Sequence, residues 1–213
     1  MQTLTRAPLL AALAAGLCFS ASALAATLDF ESLADLESVG QQFAASGVTF
    51  SNAIALTAGL SVNEVDVPPH SGSVVISDDG GPMTLTFTNA VQQVGGFFTY
   101  AAPLTLNAYD AAGHWLGSIG SAFSNNTTLL GAAGSMPNEW LQLSAAAGMA
   151  RLTISGDAAG GSFVLDDLSI TPVPEPAAAW LLVIGLGGLG GLIGLGRLDG
   201  LTGPRAQRRR QPA

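Results

Sequence analysis

Histidine and serine residues are the first candidates for chemistry in this chain, because a serine activated by a histidine can hydrolyse esters and amides. The two histidines, His70 and His114, lie in separate turn-like segments, Pro68–Gly72 and Gly113–Trp115. The sequence contains no Gly-x-Ser-x-Gly nucleophile motif and no His-Glu-x-x-His zinc motif. We therefore predict that the protein is not an enzyme, and a secreted hydrolase is the least favoured of the functions considered.

Aromatic side chains offer a second kind of chemistry, the stacking of sugar rings on flat apolar surfaces. The candidates in the central region are Trp115, Trp140, Tyr100 and Tyr109. Trp115 directly follows a Gly-His turn signal, so we expect it to be exposed and to bind ligand. The alternative is that most of these aromatic residues fill the core.

The placement of charge excludes one class of partner. Thirteen acidic residues lie between Ala26 and Pro172, where Arg151 is the only base, and the other arginines lie near the two ends of the chain. Proteins that bind nucleic acid need Lys or Arg side chains to neutralise phosphates, so we expect no nucleic-acid partner. An acidic domain is compatible with an extracellular location and with divalent cations.

The elements that must position these residues are predicted to be strands. Short runs in the central region alternate polar and apolar residues and are rich in β-branched and aromatic types, with Gly, Asn, Asp and Pro between them. Roughly nine or ten such strands predict an all-β fold, a single β-sandwich over residues 26–172. The runs are Gly47–Phe50, Val74–Ile76, Thr84–Thr88, Val94–Tyr100, Leu104–Tyr109, Trp115–Ile119, Leu141–Leu143, Arg151–Ile154 and Phe163–Ile170.

The segments between these runs are predicted with less regular structure. Leu33–Phe43 is either a short helix or a loop across one end of the sandwich. Asp78–Gly81 and Asp110–Gly113 are predicted turns, since Asp and Gly favour hairpin geometry. Asn125–Thr128 is interpreted as a polar loop.

The two ends of the sandwich resemble those of a known fold. The opening run Leu28–Glu31 and the closing run Phe163–Leu168 are similar to the first and last strands of galactose-binding-like jelly rolls, which include carbohydrate-binding modules and MAM domains. This resemblance implies that the two strands lie side by side and that their carboxylates hold a structural Ca²⁺. Such a cation binds roughly six to eight hard oxygen ligands and would relieve repulsion between acidic strands. We therefore expect Glu31, Asp166 and Asp167 to be Ca²⁺ ligands; the alternative is solvated or hydrogen-bonded strand ends.

Residues 1–25 predict a secretory signal peptide. Arg6 precedes an apolar stretch at Leu9–Phe19, and Ala23–Ala25 has the small-x-small pattern that signal peptidase cleaves. A retained membrane anchor is the alternative, although the apolar stretch is short for a bilayer. Cleavage would remove Cys18, the only cysteine, so that the mature protein would have no disulfide.

Residues 173–213 predict a membrane-docked tail in three parts. Val173–Pro176 contains two prolines, which interrupt helices and sheets. Ala177–Gly196 carries no charge and, as a helix, would span about 30 Å, the thickness of a bilayer core. Positive residues follow, as expected for a stop-transfer signal that stays inside the cell: Arg197, Arg205, Arg208, Arg209 and Arg210. An ordinary single-span anchor is the alternative.

The order of these parts resembles the PEP-CTERM sorting signal of Gram-negative bacteria, with Pro174, Glu175 and Pro176 as its motif. Gly95–Tyr100 also resembles the extracellular domain common in proteins of that class. The resemblance implies a transient inner-membrane intermediate, processing by exosortase, and association with extracellular polysaccharide or biofilm. We therefore expect an exported, non-enzymatic surface or matrix protein, and a carbohydrate-binding module on the cell surface is the alternative.

Overall fold

The computed structural model describes residues 25–173, the central region of the chain. The predicted signal peptide up to residue 24, the Pro174-Glu175-Pro176 motif, the apolar span 177–196 and the arginines that follow it lie outside these residues. Between residues 25 and 173 the only helical element is a 3₁₀ turn at Ala44–Ser46. No helix in that range is long and apolar enough to cross a membrane.

Nine strands account for most of the regular structure in the described range. They are β1 (Ala26–Leu28), β2 (Val48–Ser51), β3 (Ala53–Thr57), β4 (Val74–Asp78), β5 (Met83–Tyr100), β6 (Thr105–Tyr109), β7 (Trp115–Gly120), β8 (Glu139–Ser155) and β9 (Phe163–Pro172). The all-β sandwich expected from the alternating runs is therefore observed.

The long strands β5 and β8 take part in both layers of the sandwich. Their antiparallel ladder is interrupted near Val91, and such irregularities bend a strand. On one side of the interruption β5 pairs with β9, which in turn pairs with β4 and β1, and β3 lies at the edge; we call this layer the first leaf. On the other side β5 pairs with β2, and β8 pairs with β6, which pairs with β7; this layer is the second leaf.

The first and last strands lie side by side, as the jelly-roll resemblance implies. β1 runs antiparallel to β9, so that Ala26 lies opposite Ile170 and Leu28 opposite Leu168. The segment that follows β1 is therefore held close to the acidic end of β9. This pairing brings the region of Glu31 to the same side of the sandwich as Asp166 and Asp167.

The core is filled from both leaves by the inward-facing residues of the strands. Phe98 and Leu165 contribute from the first leaf, and Leu85, Leu152 and Ile154 contribute from the second; all five are fully or almost fully buried. Complete burial of one such side chain contributes about 1.5–3 kcal/mol. With no cysteine in the described range, the packing of these residues holds the two leaves together.

The main difference from the predicted strands is that two pairs of them join into single long strands. Thr84–Thr88 and Val94–Tyr100 belong to one strand, β5, because the intervening residues stay paired across a bulge. Leu141–Leu143 and Arg151–Ile154 likewise belong to β8. The alternating pattern does not predict β3, and Leu33–Phe43 forms turns and a loop rather than a helix. The predicted opening strand Leu28–Glu31 is also shifted, because β1 ends at Leu28 and Phe30 has a positive φ of 62°.

Candidate functional site

The outer face of the first leaf carries two aromatic side chains on neighbouring strands. Phe97 on β5 lies opposite Trp140 on β8. Their ring centroids are 4.9 Å apart with the planes tilted by 59°. Side chains at opposed positions project from the same face of a sheet, and the inward neighbour Phe98 is buried in the core. The two rings therefore form one surface that faces away from the core.

A glycine beside this surface explains how the indole lies against the sheet. Gly95 precedes Phe97 by two residues on the same face, and a Cβ atom there would lie 2.6 Å from Trp140 Cζ2. Only a residue without a side chain leaves room for the indole, which remains 42% exposed. Trp140 Nε1 also donates a hydrogen bond of 3.3 Å to Gln142 Oε1.

Histidine extends the aromatic surface from a loop. The ring of His70, in the connection between β3 and β4, stacks on the ring of Phe97 with centroids 3.4 Å apart and planes 8° from parallel. His70 Nδ1 lies 2.6 Å from Asp167 Oδ2. The stacking and the hydrogen bond fix the orientation of the imidazole on the sheet.

These residues line an open groove. A depression of about 450 Å³ is bordered by Thr27, Phe97, Trp140, Asp167 and Ser169. Two flat rings thus lie beside hydroxyl and carboxylate groups that can exchange hydrogen bonds with a ligand. We call the set Phe97, Trp140, His70 and Asp167 the aromatic platform.

Three carboxylates hold the loop that carries His70. Asp166 Oδ2 accepts hydrogen bonds from the backbone N–H groups of His70 (2.8 Å) and Ser71 (2.9 Å). Glu31 Oε1 accepts from the N–H groups of Ser73 (2.9 Å) and Val74 (2.8 Å). Charge-assisted hydrogen bonds of this kind are stronger than neutral ones, so segment 70–74 is fixed at both ends.

Consecutive residues of a regular strand point to opposite faces, yet Asp166 and Asp167 contact the same loop. Asp167 Oδ1 accepts a hydrogen bond of 3.0 Å from Ser71 Oγ, in addition to the contact with His70. The β5–β9 ladder shifts register between Gly95 and Phe97, and Asp167 has a positive φ of 47°. This bulge turns both carboxylates toward the loop. Bulges beside functional surfaces commonly redirect side chains in this way.

The expected Ca²⁺ ligands therefore meet at one loop, segment 70–74, and each of them already accepts hydrogen bonds from it. The oxygens of Glu31, Asp166 and Asp167 accept hydrogen bonds from N–H and O–H groups, and a donor hydrogen occupies the space that a cation would need. Among residues 25–173, no group of three or more His, Cys, Asp or Glu side chains is placed to hold a metal ion. The calcium site gains no support from this geometry and stays a prediction.

Burial changes the acidity of one of these groups. The Asp166 side chain is almost fully buried, and this burial raises the pKa of its carboxyl above the usual range. The backbone N–H of Ser71 lowers the pKa, whereas the neighbouring charge of Asp167 raises it further. Burial thus disfavours the charged form of Asp166, whose carboxyl group binds the backbone of the loop.

The other predicted ligand-binding residue lies on the opposite face. Trp115 is the first residue of β7 in the second leaf and is 62% exposed. Its cross-strand neighbour is Tyr109. Tyr100, by contrast, is buried and donates a hydrogen bond to Glu139, so it offers no stacking surface.

No Ser-His-Asp triad is present in the described part of the chain. In a catalytic triad the histidine lies between the nucleophile and the carboxylate, whereas Asp167 here lies between His70 and Ser71. His114 Nδ1 contacts Asp110 at 2.9 Å in an exposed turn. Both histidines are thus held by carboxylates, and between residues 25 and 173 neither ring is hydrogen-bonded to a serine hydroxyl.

The aromatic platform could not have been assembled from the sequence alone. Its residues come from positions 70, 97, 140 and 167, and only the strand register brings them together. One local signal was present: Gly95-Gly96 directly precedes Phe97-Phe98, and adjacent glycines in a strand often mark a close approach of other groups.

No family model and no curated protein matches this chain. Solved structures with a similar fold include a DUF4465 family protein from Bacteroides caccae, with 13% identity, a TM-score of 0.47 and coverage of 70% of this chain and 99% of that one. A cleaved adhesin domain (K1) of Lys-gingipain from Porphyromonas gingivalis is 10% identical, with a TM-score of 0.42 and coverage of 70% and 98%. A family 11 carbohydrate-binding module from Clostridium thermocellum is 11% identical, with a TM-score of 0.33 and coverage of 71% and 98%. At such distances we base the functional argument on the side chains themselves.

Proposed function

We propose that the chain is a non-enzymatic surface protein whose sandwich binds carbohydrate through the aromatic platform. The observation that carries this proposal is the exposed indole of Trp140 beside the Phe97–His70 stack, flanked by Asp167 and by the hydroxyls of Thr27 and Ser169. A pyranose ring has an apolar face and a rim of hydroxyls. Rings beneath it and polar groups beside it match both features.

The platform favours a neutral glycan. Its charged group is a carboxylate, Asp167, which accepts hydrogen bonds from sugar hydroxyls but repels anionic sugars. Segment 70–74 is tied down by Asp166 and Glu31, so little ordering is needed on binding, and preorganisation favours affinity.

A pull-down on insoluble neutral polysaccharides tests this function. The full chain, purified in a detergent without a sugar headgroup, is expected to bind, and Trp140→Ala should weaken binding by about tenfold or more, as for other buried aromatic contacts. Trp115→Ala is the matched control, because it removes an exposed tryptophan from the other leaf. Absence of binding to any neutral glycan, or a loss caused by Trp115→Ala alone, would rule out the platform as the binding surface.

We also propose that the chain reaches the cell surface through the predicted signal peptide and the PEP-CTERM-like tail at residues 173–213. In this scheme signal peptidase and exosortase are its processing partners, and the inner membrane holds it only transiently. The support is the order of motif, apolar span and arginines in the sequence. Mass spectrometry of the exported protein checks it: the mature chain should end near Pro174–Pro176, and an intact end containing Arg210 would contradict processing.

A matrix protein without glycan affinity is the second candidate, since the order of motif, apolar span and arginines supports export whether or not the sandwich binds a glycan. The same pull-down separates the two functions.

A further inference from the structure

The outer face of the second leaf carries a row of side chains unlike those of the aromatic platform. Arg151 on β8 lies opposite Tyr109 on β6 and opposite Thr86 on β5, and Tyr109 lies opposite Trp115 on β7. Cross-strand neighbours project from the same face. The flanking residue Leu152 is buried in the core, so the row faces away from the core.

Arg151 lies over an aromatic ring. Its Cζ atom is 4.6 Å from the centroid of the Tyr109 ring, which is a cation–π contact. Within residues 25–173 its guanidinium forms no ion pair, although it is the only base in an acidic domain. A guanidinium can stack with its face while the N–H groups on its edge bind a carboxylate in a bidentate manner. That edge is available here.

Asp110, which borders the same open cleft as Arg151, has its carboxylate engaged in its own turn. Asp110 Oδ1 accepts hydrogen bonds from the N–H groups of Ala112 (2.9 Å) and His114 (2.8 Å), and Asp110 Oδ2 contacts His114 Nδ1 at 2.9 Å. The hydrogen bond from the His114 side chain is the main reason that the pKa of Asp110 lies below its usual range. Asp110 is therefore held within the β6–β7 turn.

An open cleft adjoins the row. It has a volume of about 360 Å³ and is bordered by Thr86, Asp110, the turn residues 111–113, Ala150 and Arg151. The cleft therefore has a cationic donor on one side and a hydroxyl, the Asp110 carboxylate and turn backbone on the other. This size accommodates a sugar residue. Trp115, 62% exposed, lies outside the cleft and is separated from Arg151 by Tyr109 along the row.

We propose that Arg151, Tyr109 and Trp115 form a second glycan-binding site, selective for a sugar that carries a carboxylate. The inference rests on the proposed function in treating the sandwich as a glycan binder, but it concerns the other leaf and the opposite charge preference. The sugar carboxylate binds the N–H edge of Arg151, and the pyranose ring lies against the exposed indole of Trp115. Thr86 supplies a hydroxyl for the remaining polar groups of the sugar.

The acidity of the domain limits the length of the anionic ligand. Thirteen carboxylates against one arginine repel a long polyanion, although at physiological salt charges farther than about 8 Å are largely screened. Of these acids, Asp110 is the one that borders the cleft, and its oxygens already accept hydrogen bonds within its own turn. A single uronic acid residue at Arg151 is therefore attracted by the adjacent cation more than it is repelled by the acids farther away. The site is therefore suited to an isolated acidic residue or to a short acidic oligosaccharide.

Ligand-observed NMR on the full chain in detergent micelles tests the proposal with two probes. One is a trimer of a hexuronic acid, and the other is the same trimer with its carboxyl groups reduced to alcohols. The acidic trimer should bind at least about fivefold more tightly. Arg151→Gln should remove this preference. Arg151→Lys keeps the charge but loses the planar guanidinium that binds a carboxylate in a bidentate manner, so it should retain only part of the preference. Equal binding of the two trimers to the unmodified protein would overturn the proposal.

Two further variants separate this site from the aromatic platform. Trp115→Ala should weaken binding of the acidic trimer, whereas Trp140→Ala should leave it unchanged. If Trp140→Ala abolishes the preference for the acidic trimer, the second site is wrong. The neutral-glycan pull-down can fail while Arg151→Gln still removes binding of the acidic trimer. That result would refute glycan binding by the aromatic platform and support the second site. Thermal unfolding of Arg151→Gln shows whether the variant is folded, and the preference is read only from ratios between the two trimers.

Discussion

The two outer faces of the sandwich share strands β5 and β8 but have opposite chemistry. On the first leaf, three carboxylates hold a long connection down against the sheet, so that His70 stacks on Phe97. On the second leaf, the β6–β7 connection is a tight turn, and His114 stays within that turn beside Asp110. Each face has a tryptophan and a His–Asp pair, yet only the second has a cation. The connections, more than the strands, therefore distinguish the faces.

Substitution of Gly95, which lies beside Trp140, is the test with the largest expected effect. Gly95→Ala places a Cβ atom 2.6 Å from Trp140 Cζ2 and must displace the indole, so neutral-glycan binding should fall by about tenfold. Because Trp140 lies at the surface and can move outward, the melting temperature should change little. Pull-down and thermal unfolding measure the two effects.

Gly117→Ala is the matched control on the second leaf, because a Cβ atom there would have no atom within 4 Å. Glycine in a strand costs about 0.5–1 kcal/mol relative to alanine, so this variant should be neutral or slightly more stable. If Gly95→Ala and Gly117→Ala bind neutral glycans equally well, the two faces do not differ as described.

The two histidines give a smaller contrast. His70→Ala removes both the stack on Phe97 and the hydrogen bond to Asp167, and should reduce neutral-glycan binding roughly threefold and lower the melting temperature. His114→Ala acts on a side chain that is 77% exposed and should leave both properties close to those of the unmodified protein. Equal effects of the two substitutions would show that the stack on Phe97 is not part of the platform.

A pH measurement sharpens the contrast between the acidic groups of the two faces. The pKa of Asp110 is lowered, first by the hydrogen bond from the His114 side chain, so His114→Ala should raise it toward the ordinary value of 3.8. With a lowered folded pKa, the contribution of Asp110 to stability is present above 3.8 and is lost as the pH falls through the folded pKa. Asp166 has a raised pKa, so its contribution is full below 3.8 and is lost as the pH rises through the folded pKa. Carboxyl NMR titration of both residues should show shifts of opposite sign.

The smallest expected effect is that of calcium. A cation specific for the native state must raise the melting temperature, but Glu31, Asp166 and Asp167 already accept hydrogen bonds from segment 70–74. We expect the chelator-treated protein to melt at the same temperature with and without millimolar Ca²⁺. A clear rise would support the calcium prediction and would mean that the segment moves away from the carboxylates.

Much of the fold could be predicted because strand patterning is local. Alternation of buried and exposed residues marks a half-buried strand wherever it occurs in the chain, and seven of the nine strands, all except β1 and β3, coincide with such runs. The opening run Leu28–Glu31 overlaps β1 only at Leu28. β3 was missed because its run Ala53–Thr57 has only weak alternation, with no polar residue before its last position. The joining of Thr84–Thr88 to Val94–Tyr100 was missed because a bulge looks like a break in the pattern.

The roles of individual polar residues were less predictable, because they depend on distant partners. The sequence predicts only a turn at Asp78, but its buried carboxylate accepts hydrogen bonds from the backbone of Ser162 and Phe163. Asn126 lies in the predicted polar loop, yet it is buried and binds the backbone of Phe98 and Tyr100. Each partner is more than 25 residues away, and no local pattern encodes such a contact.

The sequence by itself determined the all-β class, the acidity of the central region and the presence of an exposed tryptophan at Trp115, since these follow from composition and short-range alternation. The tertiary structure alone decided that Phe97, Trp140, His70 and Asp167 share one surface and that Arg151 stacks on Tyr109 on the other. The physical reason is strand register. A shift of one residue would turn every side chain of a strand to the opposite face, and only the closed sandwich selects the register that builds these two surfaces.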